Sequence, residues 1–388
     1  MMSEHAAWVT LASVDGVGPA TFGRLLAAFG DAATVLDAAR RGQLDRDLRE
    51  RERRARGDPA RDLGAALIEA IGAAARRPAA AVDRLEALHV EAVTLHDAAY
   101  PERLRGVDDA PPVLFVRGAV AALSGQRSVA VVGTRRPTPA GRAFAGAAAA
   151  AIASSGAIVV SGLAFGIDAA AHAAVAEQGD VTVAVIGSGL GVLRPAAHRR
   201  LAGAIIEAGG AIVSEQRIDA TPVKGTYPRR NRLIAGLSEA VVVVEAPARS
   251  GALNTAGWAA GLGRDLYVVP GRPWEPTTAG CVALLHDVPG ARAVVDVPTL
   301  LTDLELGTPK PAERVRTTLG SVLVGLSPVE AALARRLRHG PASPDRLAID
   351  CALPVEQVAG GLSLLELRGY AWSSGPLYFA GGALRDAG

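Results

Sequence analysis

Three observations predict an α/β protein with a doubly wound parallel sheet. Short runs rich in Val and Ile recur between residues 128 and 304, glycine follows most of them at once, and a helical stretch comes next. Continuous apolar runs that alternate with helices are typical of a parallel sheet covered on both faces. We therefore predict a Rossmann-like domain with the strands Val129–Val132, Ala157–Ser161, Thr182–Ile186, Ala211–Ser214, Ala240–Glu245 and Leu266–Val269.

The segments on either side of this sheet have other patterns. Residues 11–37 predict two short helices joined by Gly16-Val17-Gly18, which is typical of a plain tight turn and also of a helix-hairpin-helix that holds a phosphate. Residues 40–62 contain nine arginines and six acidic residues, which indicates a solvated helix face. Near the other end, three helices and a hairpin predict a winged helix, over Ser327–Arg338, Pro344–Ile349, Pro354–Arg368 and GYAWSSGPLYFAGG.

These changes of pattern divide the chain. A strand near Val93 and the extended segment Pro111–Gly118 are expected to add edge strands or an extra layer to the sheet. We expect a small helical domain of SAM-like or helix-hairpin-helix type, an extended Rossmann-like domain, a linker rich in Pro, Thr and Gly, and a winged helix, over residues 1–78, 79–304, 305–322 and 323–388.

Charge and composition limit the possible partners. The chain has 388 residues, 49% of them hydrophobic, and a formal net charge of only +2. A globular protein of this kind binds an anionic partner through a local basic patch. Of the 41 basic residues only Lys224 and Lys310 are lysine. With so strong a bias, a remaining lysine favours a position that needs a compact ammonium group.

Cysteine usage and apolar runs indicate the compartment. Cys281 and Cys351 lack the spacing of metal ligands, so neither a disulfide framework nor a zinc site is expected, and a reducing compartment is favoured. The first residues, MMSEHAAWVT, lack the pattern of a secretory signal. Residues 143–160 are rich in alanine but are interrupted by Ser154-Ser155-Gly156, which predicts a helix and a strand. We expect a cytoplasmic protein with no membrane partner.

The segments that follow the strands are the expected ligand sites, because open parallel sheets bind ligands beyond the carboxyl ends of their strands. Glycine loops follow the first three predicted strands, at Gly133–Thr138, Gly162–Asp168 and Gly187–Gly191, and their amides are able to hold phosphate. After the fourth, the segment Lys224–Arg232 has four cations around Tyr227. Cations along a backbone, with an aromatic ring for a base, are what single-stranded nucleic acid needs.

Other ligands and an enzymatic reaction are less well supported. The dinucleotide fingerprint and the Walker sequence are absent, so neither NAD nor FAD nor a P-loop nucleotide is expected, and no cofactor is predicted. Asp168 and His172 lie one helical turn apart, but a helix cap and a packed histidine explain them as well. An alternative for the basic segment is that its arginines pair with glutamates and that its tyrosine is a core residue, the glutamates being Glu215, Glu239 and Glu245.

A group of motifs resembles the DNA processing protein A family, also called DprA or Smf. The matching stretches are VAVVGTRRPTPAG, VVSGLAFGIDAAAH, TVAVIGSGL, IVSEQ, YPRRNRLIAGLSEAVVVVEA, RSGALNTAGWAAGLGR and VVPG, with YPERL and PPVLFVRG before them. The resemblance covers roughly residues 81–296. It implies a non-enzymatic protein that binds single-stranded DNA, protects incoming strands in natural transformation and loads the RecA recombinase. It also implies a homodimer formed through the late part of the Rossmann-like domain.

The resemblance assigns DNA contact to Arg135, Lys224 and Tyr227. Three positions depart from the family pattern: Arg194 stands for the usual tyrosine before proline, Val282 for an asparagine, and Asn254 for an apolar residue. Together with the loop arguments, the residues expected to bind DNA are Gly133, Thr134, Arg135, Ser161, Gly162, Gly166, Lys224, Tyr227, Arg229, Arg230, Asn231 and Arg232.

The predicted winged helix suggests duplex DNA, but its charge argues against that partner. Its presumptive recognition helix has Glu356 and Glu366 against one arginine, and the wing is uncharged. A reader of the major groove normally needs several cations. We therefore favour a protein-interaction or autoregulatory role for it. Two rival functions stay open: a nucleotide-processing enzyme on a Rossmann-like domain, and a transcription regulator that works through the winged helix.

Overall fold

The computed structural model describes residues 2–56, 62–124, 127–307, 323, 325–368, 370–374, 377–381 and 384. The chain forms two compact units, residues 1–310 and 311–388. Most of the expected linker, together with Lys310, lies outside the described residues.

The first unit begins with helices joined by short turns. They are α1 Glu4–Ala12, α2 Pro19–Phe29, α3 Ala32–Arg40, α4 Leu44–Arg56, α5 Ala65–Arg76 and α6 Ala79–Ala87. The predicted Gly16-Val17-Gly18 turn joins α1 to α2, with Gly16 at a φ of 88° that glycine adopts without strain. The predicted solvated helix is α4, whose exposed face has ion pairs such as Arg49–Asp45.

A nine-stranded sheet follows in the described part of this unit. Its strands are β1 Glu91–Thr94, β2 Val113–Gly118, β3 Ser128–Val132, β4 Ile158–Ser161, β5 Thr182–Val185, β6 Ala211–Ser214, β7 Ala240–Val243, β8 Asp265–Val268 and β9 Arg292–Ala293, in the spatial order β1-β2-β6-β5-β4-β3-β7-β8-β9. The six strands predicted from the sequence, β3 to β8, are parallel to one another. The predicted edge strands β1 and β2 are antiparallel.

Helices cover both faces of the sheet. They are α7 Glu102–Arg105, α8 Pro139–Ser154, α9 Ile167–Glu177, α10 Arg199–Glu207, α11 Thr226–Gly236, α12 Gly251–Gly261, α13 Ala279–Asp287 and α14 Val297–Asp303. Successive residues of a strand face opposite sides. Ala130 and Val132 pack with α11 and α12, whereas Val129 and Val131 pack with α8 and α9. The sequence prediction of a doubly wound α/β domain is confirmed.

The N-terminal helices pack against the same sheet. Trp8 and Phe22 belong to one buried cluster with Phe115 of β2 and Ile212 of β6. An extended Rossmann-like sheet and the helices before it therefore share a core, and both lie in the first unit.

Helix α11 begins inside the basic segment, at Thr226. Gly225 has a left-handed φ of 94° that starts the helix, and Pro228 is tolerated because amides of the first turn have no partner within the helix. Tyr227 therefore lies on the first turn of the helix and not in a loop.

The second unit has the predicted winged helix. Its elements are α15 Pro328–Leu337, α16 Pro344–Cys351, α17 Val355–Leu367, β10 Ala371–Ser374 and β11 Leu377–Ala380. Strands β10 and β11 form the antiparallel wing. Leu333, Leu347 and Leu362 lie in a core of its own. Over the described residues, no single helix is long and apolar enough to cross a bilayer; the bent pair α16 and α17 passes on length and composition alone.

Candidate functional site

The topological switch point of the sheet is at β3, where the side on which successive parallel strands are added changes. The neighbours of β3 are β4 on one side and β7 on the other, so the loops after β3 and β7 diverge and leave a crevice at the carboxyl edge. A cleft of about 720 Å³, here called the switch-point cleft, lies there; its lining includes Gly133, Arg135, Tyr227, Asn231, Arg249 and Asn254.

A second cleft lies beside the first. This side cleft, of about 390 Å³, is lined by Arg135, Gly162, Ala164, Phe165, Arg194, Pro195, Pro222, Tyr227 and Arg230. Arg135, Ala164, Tyr227 and Arg230 line both clefts. The structure thus brings the loops after β3, β4 and β6 together, as the sequence predicts.

Tyr227 lies between the clefts and is partly buried. Its ring rests on Gly187, where an added Cβ would lie 3.2 Å from Cδ1 of the ring. The guanidinium carbon of Arg135 lies 5.4 Å from the ring centroid, and that of Arg230 lies 5.9 Å from it. The tyrosine is therefore a fixed aromatic surface with a cation on it, rather than a core residue.

Arg230 is a buried structural cation. Only 4% of it is exposed, and its Nη1 donates to the carbonyl oxygen of Gly162 at 2.6 Å and to that of Val185. Burial lowers the pKa of Arg230 to about 10, with nearby Asp168 acting in the opposite direction. Arg230 thus fastens α11 to the ends of β4 and β5.

Asp168 does not cap its own helix. Its Oδ2 accepts from the amides of Gly162 at 3.1 Å and of Ala164 at 3.3 Å, and so it holds the loop before the helix. Burial raises the pKa of Asp168, although Arg230 and the two amides oppose that shift. The predicted capping role is wrong, because this carboxylate bonds to the preceding loop.

His172 does not pair with Asp168. Its Nδ1 lies 2.8 Å from the hydroxyl of Thr182, and that hydroxyl donates to the carbonyl oxygen of Val159, so Nδ1 is the donor. Complete burial lowers the pKa of His172 to about 3. The alternative reading as a packed, hydrogen-bonded histidine is confirmed, and the two side chains do not form a catalytic pair.

The next two predicted side chains are also engaged within the protein. Arg232 donates to Glu215 at 2.5 Å, and both side chains are buried, as the alternative reading proposed for this arginine. Asn231 donates from Nδ2 to the carbonyl oxygen of Gly251 at 3.1 Å and to Oδ1 of Asn254 at 3.2 Å. Asn254, which departs from the family pattern, therefore meets a predicted site residue at the switch-point cleft.

The other two glutamates have different partners from those suggested. Glu239 pairs with Arg103 and Arg127. Glu245 accepts from the backbone amide of Thr138 at 3.1 Å and from its hydroxyl at 2.7 Å, which holds the loop after β3. Glu239 and Glu245 therefore do not pair with the arginines of the basic segment.

The glycine loops use their amides inside the protein. Gly189 donates to the carbonyl oxygen of Ala220 at 2.8 Å, and Gly191 to that of Ile218 at 2.7 Å. The amide of Gly162 donates to Oδ2 of Asp168, and the hydroxyl of Ser161 donates to the carbonyl oxygen of Val131. These amides do not fit the expected role of holding phosphate, because each already has an acceptor.

Close packing also explains two other predicted glycines. A Cβ on Gly133 would lie 2.5 Å from Cγ1 of Ile167. A Cβ on Gly166 would lie 2.3 Å from the carbonyl oxygen of Thr134, and Gly166 has a φ of 85°. Both glycines, with the partly buried Thr134, shape the edge.

Free cations line the clefts. Within the described ranges, four exposed basic side chains of the two linings have neither a hydrogen bond nor an ion pair, namely Arg135, Arg136, Arg194 and Arg249. Lys224 and Arg229 are exposed and unpaired in the same sense, but they are not part of either lining. Among the described residues that line the two clefts, Asp168 is the only acidic one, and it is buried. An arrangement of unpaired cations around an aromatic ring attracts a polyanion that has flat bases.

Part of the site is not among the residues predicted from the sequence to bind DNA. Arg249 and Asn254 come after β7, and Arg194 and Phe165 come after β5 and β4. Their positions just beyond strand ends are a signal that the topology rule supplies. The rule does not say which of these side chains point into a cleft.

Comparison with protein families agrees with this architecture. The family described as DNA recombination-mediator protein A matches residues 91–305, which is more than half of the chain. The chain belongs to this DprA family. The DprA winged helix domain matches residues 313–373, and the DprA-like N-terminal HHH domain matches residues 2–51.

Individual relatives of DprA type extend this result. Protein Smf of Synechocystis sp. is 31% identical over 95% of this chain and 96% of its own length. Protein Smf of Escherichia coli is 40% identical over 54% of this chain and 55% of its own length.

Two solved DprA structures are similar to this chain. The X-ray structure of DNA processing protein A from Streptococcus pneumoniae has a TM-score of 0.59 and 27% identity, over 78% of this chain and 98% of that one. DNA processing protein A from Helicobacter pylori has a TM-score of 0.50 and 29% identity, over 56% of this chain and 97% of that one. The latter structure is described for its single-stranded DNA binding mode.

Proposed function

We propose that this chain binds single-stranded DNA along the carboxyl edge of its sheet and acts without catalysis. The observation that supports this most strongly is the group of unpaired cations around Tyr227. Arg135, Lys224 and Arg229 are exposed and have neither a hydrogen bond nor an ion pair among the described residues, whereas Asp168 at the clefts is buried and bonded to amides. The backbone of the strand contacts these cations, and a base stacks on the tyrosine.

The buried members of the predicted site act indirectly in this proposal. Arg230, Asn231 and Arg232 hold α11 in place, and Gly133, Thr134, Ser161, Gly162 and Gly166 shape the loops beside it. Stacking needs a base to replace or share the place of Arg135 on Tyr227, which is possible because that arginine is exposed. Each base stacked on an aromatic ring contributes about 1–3 kcal/mol.

We infer the cellular role from family membership. The chain acts as a recombination mediator in the cytoplasm. It protects incoming strands in natural transformation and loads RecA onto them. The H. pylori relative, described for its single-stranded DNA binding, supports the first step. We also propose a homodimer through the late part of the sheet domain, where the edge strand β9 is exposed.

Anisotropy titration with labelled oligonucleotides at several salt concentrations tests DNA binding. We expect single strands to bind more tightly than duplex of the same sequence, with log affinity falling by roughly 0.7 per neutralised phosphate for each unit of log salt. Lys224→Ala should weaken binding uniformly across sequences and reduce that slope, and Lys310→Ala is the matched lysine control. Equal affinity for duplex, a flat salt response, or equal losses at both lysines would contradict the proposal.

A further inference from the structure

Phe165 is an exposed aromatic side chain on a rigid loop. It is 49% exposed, in the segment between β4 and α9. On one side of it, Asp168 holds the amides of Gly162 and Ala164. On the other side, Gly166 packs so tightly against Thr134 that no Cβ fits. The ring is therefore held in solvent by its own loop, at a hydrophobic cost that the fold does not explain.

The ring is also held from the side by His198. The ring centroids lie 4.6 Å apart with an interplanar angle of 62°, which is an edge contact. His198 is itself fixed, because its Nδ1 lies 2.9 Å from the carbonyl oxygen of Leu163 in the same loop. Phe165 is thus an ordered surface rather than a mobile side chain.

The surroundings of Phe165 fit an anionic strand. The side cleft has Phe165 and Tyr227 in its lining, along with Arg135, Arg194 and Arg230, and none of its described lining residues is acidic. Arg194 is exposed and has no side-chain partner among the residues that the structure describes. Directly after His198, Arg199 and Arg200 begin α10 and are exposed and unpaired in the same sense.

The side cleft continues the switch-point cleft. Tyr227 and Arg135 belong to both linings, so a strand that stacks a base on Tyr227 lies at the entrance of the side cleft. The side cleft thus combines two aromatic rings, Tyr227 and Phe165, with the cations Arg135, Arg194 and Arg230. Rings and cations in one cleft suit the bases and phosphates of one strand.

We propose that the side cleft is a second stacking site for the same single strand. A base stacks on Phe165, and Arg194, with Arg199 and Arg200 beyond it, neutralises the adjoining phosphates. This site rests on the proposed function, and it extends the path of the strand from Lys224 and Tyr227 across the end of β5.

The test is a length series of labelled oligothymidylates, titrated against the full chain and its variants. Phe165→Ala should weaken binding of the longer oligonucleotides by about 5- to 100-fold. Phe165→Ala should not change the affinity for the shortest oligonucleotides that the wild type binds. The affinity of the variant should therefore stop rising at a shorter oligonucleotide length than that of the wild type. Phe165→Trp should keep the wild-type profile, and Arg194→Ala should lower the salt slope for long strands only.

Trp372→Ala supplies the matched control, because Trp372 is an equally exposed aromatic residue, at 50%, on the wing. If Phe165→Ala behaves like the wild type at every length, the second site is overturned and the proposed function stands. An equal loss at all lengths also overturns it, since that result places Phe165 in the first cleft or in folding. If the wild type binds no single strand, the proposed function itself fails. Photocrosslinking of a halogenated uracil to the 162–166 loop would support the site, and crosslinks confined to residues near Tyr227 would contradict it.

Discussion

Burial decides which arginines of α11 are available to an anion. Arg229 is exposed and unpaired within the described residues, whereas Arg230 and Arg232 are buried on carbonyl oxygens and on a glutamate. Moving a guanidinium out of such a site leaves its partners without hydrogen bonds, which costs more than a phosphate contact at the surface contributes. Lys224 and Arg229 are therefore the exposed cations that this segment offers to a phosphate.

Burial of His172 makes the stability of the fold depend on pH. The folded pKa of His172 is lowered from 6.5 to about 3, mainly by burial. Between these values the unfolded chain binds a proton that the folded chain does not, so stability falls as the pH falls through this range. We expect His172 to lower the free energy of unfolding by up to about 1.4 kcal/mol for each unit by which the pH falls in this range.

The check is urea denaturation of the wild type and of His172→Asn across this range, since an asparagine amide is able to donate to Thr182 in the same way. The difference between the two free energies of unfolding should shrink as the pH falls. A difference that is constant with pH would show that His172 is protonated in the folded state.

The loop between β6 and α11 depends on a neighbouring element for its position. The loop after β5 packs on it at Gly189, and an added Cβ there would lie 2.2 Å from the carbonyl oxygen of Arg217. The loop between β6 and α11 also contacts the N-terminal segment, through ion pairs from Arg217 to Asp15 and from Asp219 to Arg84. Exposed pairs of this kind contribute little, so the glycine contact is the stronger constraint on the segment that precedes Lys224.

Gly189→Ala tests this element. The clash with backbone should destabilise the fold by about 1–3 kcal/mol, and the displaced loop should weaken single-strand binding as well. Gly203→Ala, inside α10 with open space around it, is the control and should raise stability by about 0.5–1 kcal/mol. Thermal unfolding and anisotropy measure the two effects. Unchanged DNA affinity in a folded Gly189→Ala protein would argue against the role of the loop.

At the scale of the molecule, the two compact units have different surfaces. The first has the basic clefts. In the second, the presumptive recognition helix α17 has an exposed Glu356, while Arg368 pairs with Glu330. Val355 and Leu364 are exposed apolar residues on the same helix. This combination favours a protein partner over a duplex, because a duplex needs free cations on that helix.

We therefore expect deletion of residues 311–388 to leave single-strand affinity and its salt slope within a few-fold of the wild type. Titration of the shortened chain beside the full chain measures this. If DNA binding disappears in a shortened chain that remains folded by circular dichroism, the winged helix binds the nucleic acid and the proposal of a transcription regulator gains support.

The pattern of apolar runs and glycine loops was enough to predict the elements and the edge at which they meet. The strands β3 to β8 are short apolar runs whose burial on both faces requires a parallel sheet, and the motifs around Arg135, Lys224 and Tyr227 indicated the family. Which side chains of the basic segment face solvent depends on three-dimensional packing. The phase of α11 and the neighbouring strand ends bury Arg230 and Arg232, whereas Arg229 stays exposed. The tertiary structure also placed Phe165 and Arg194, distant in sequence, in one cleft with Tyr227, since that proximity depends on strand order and not on spacing along the chain.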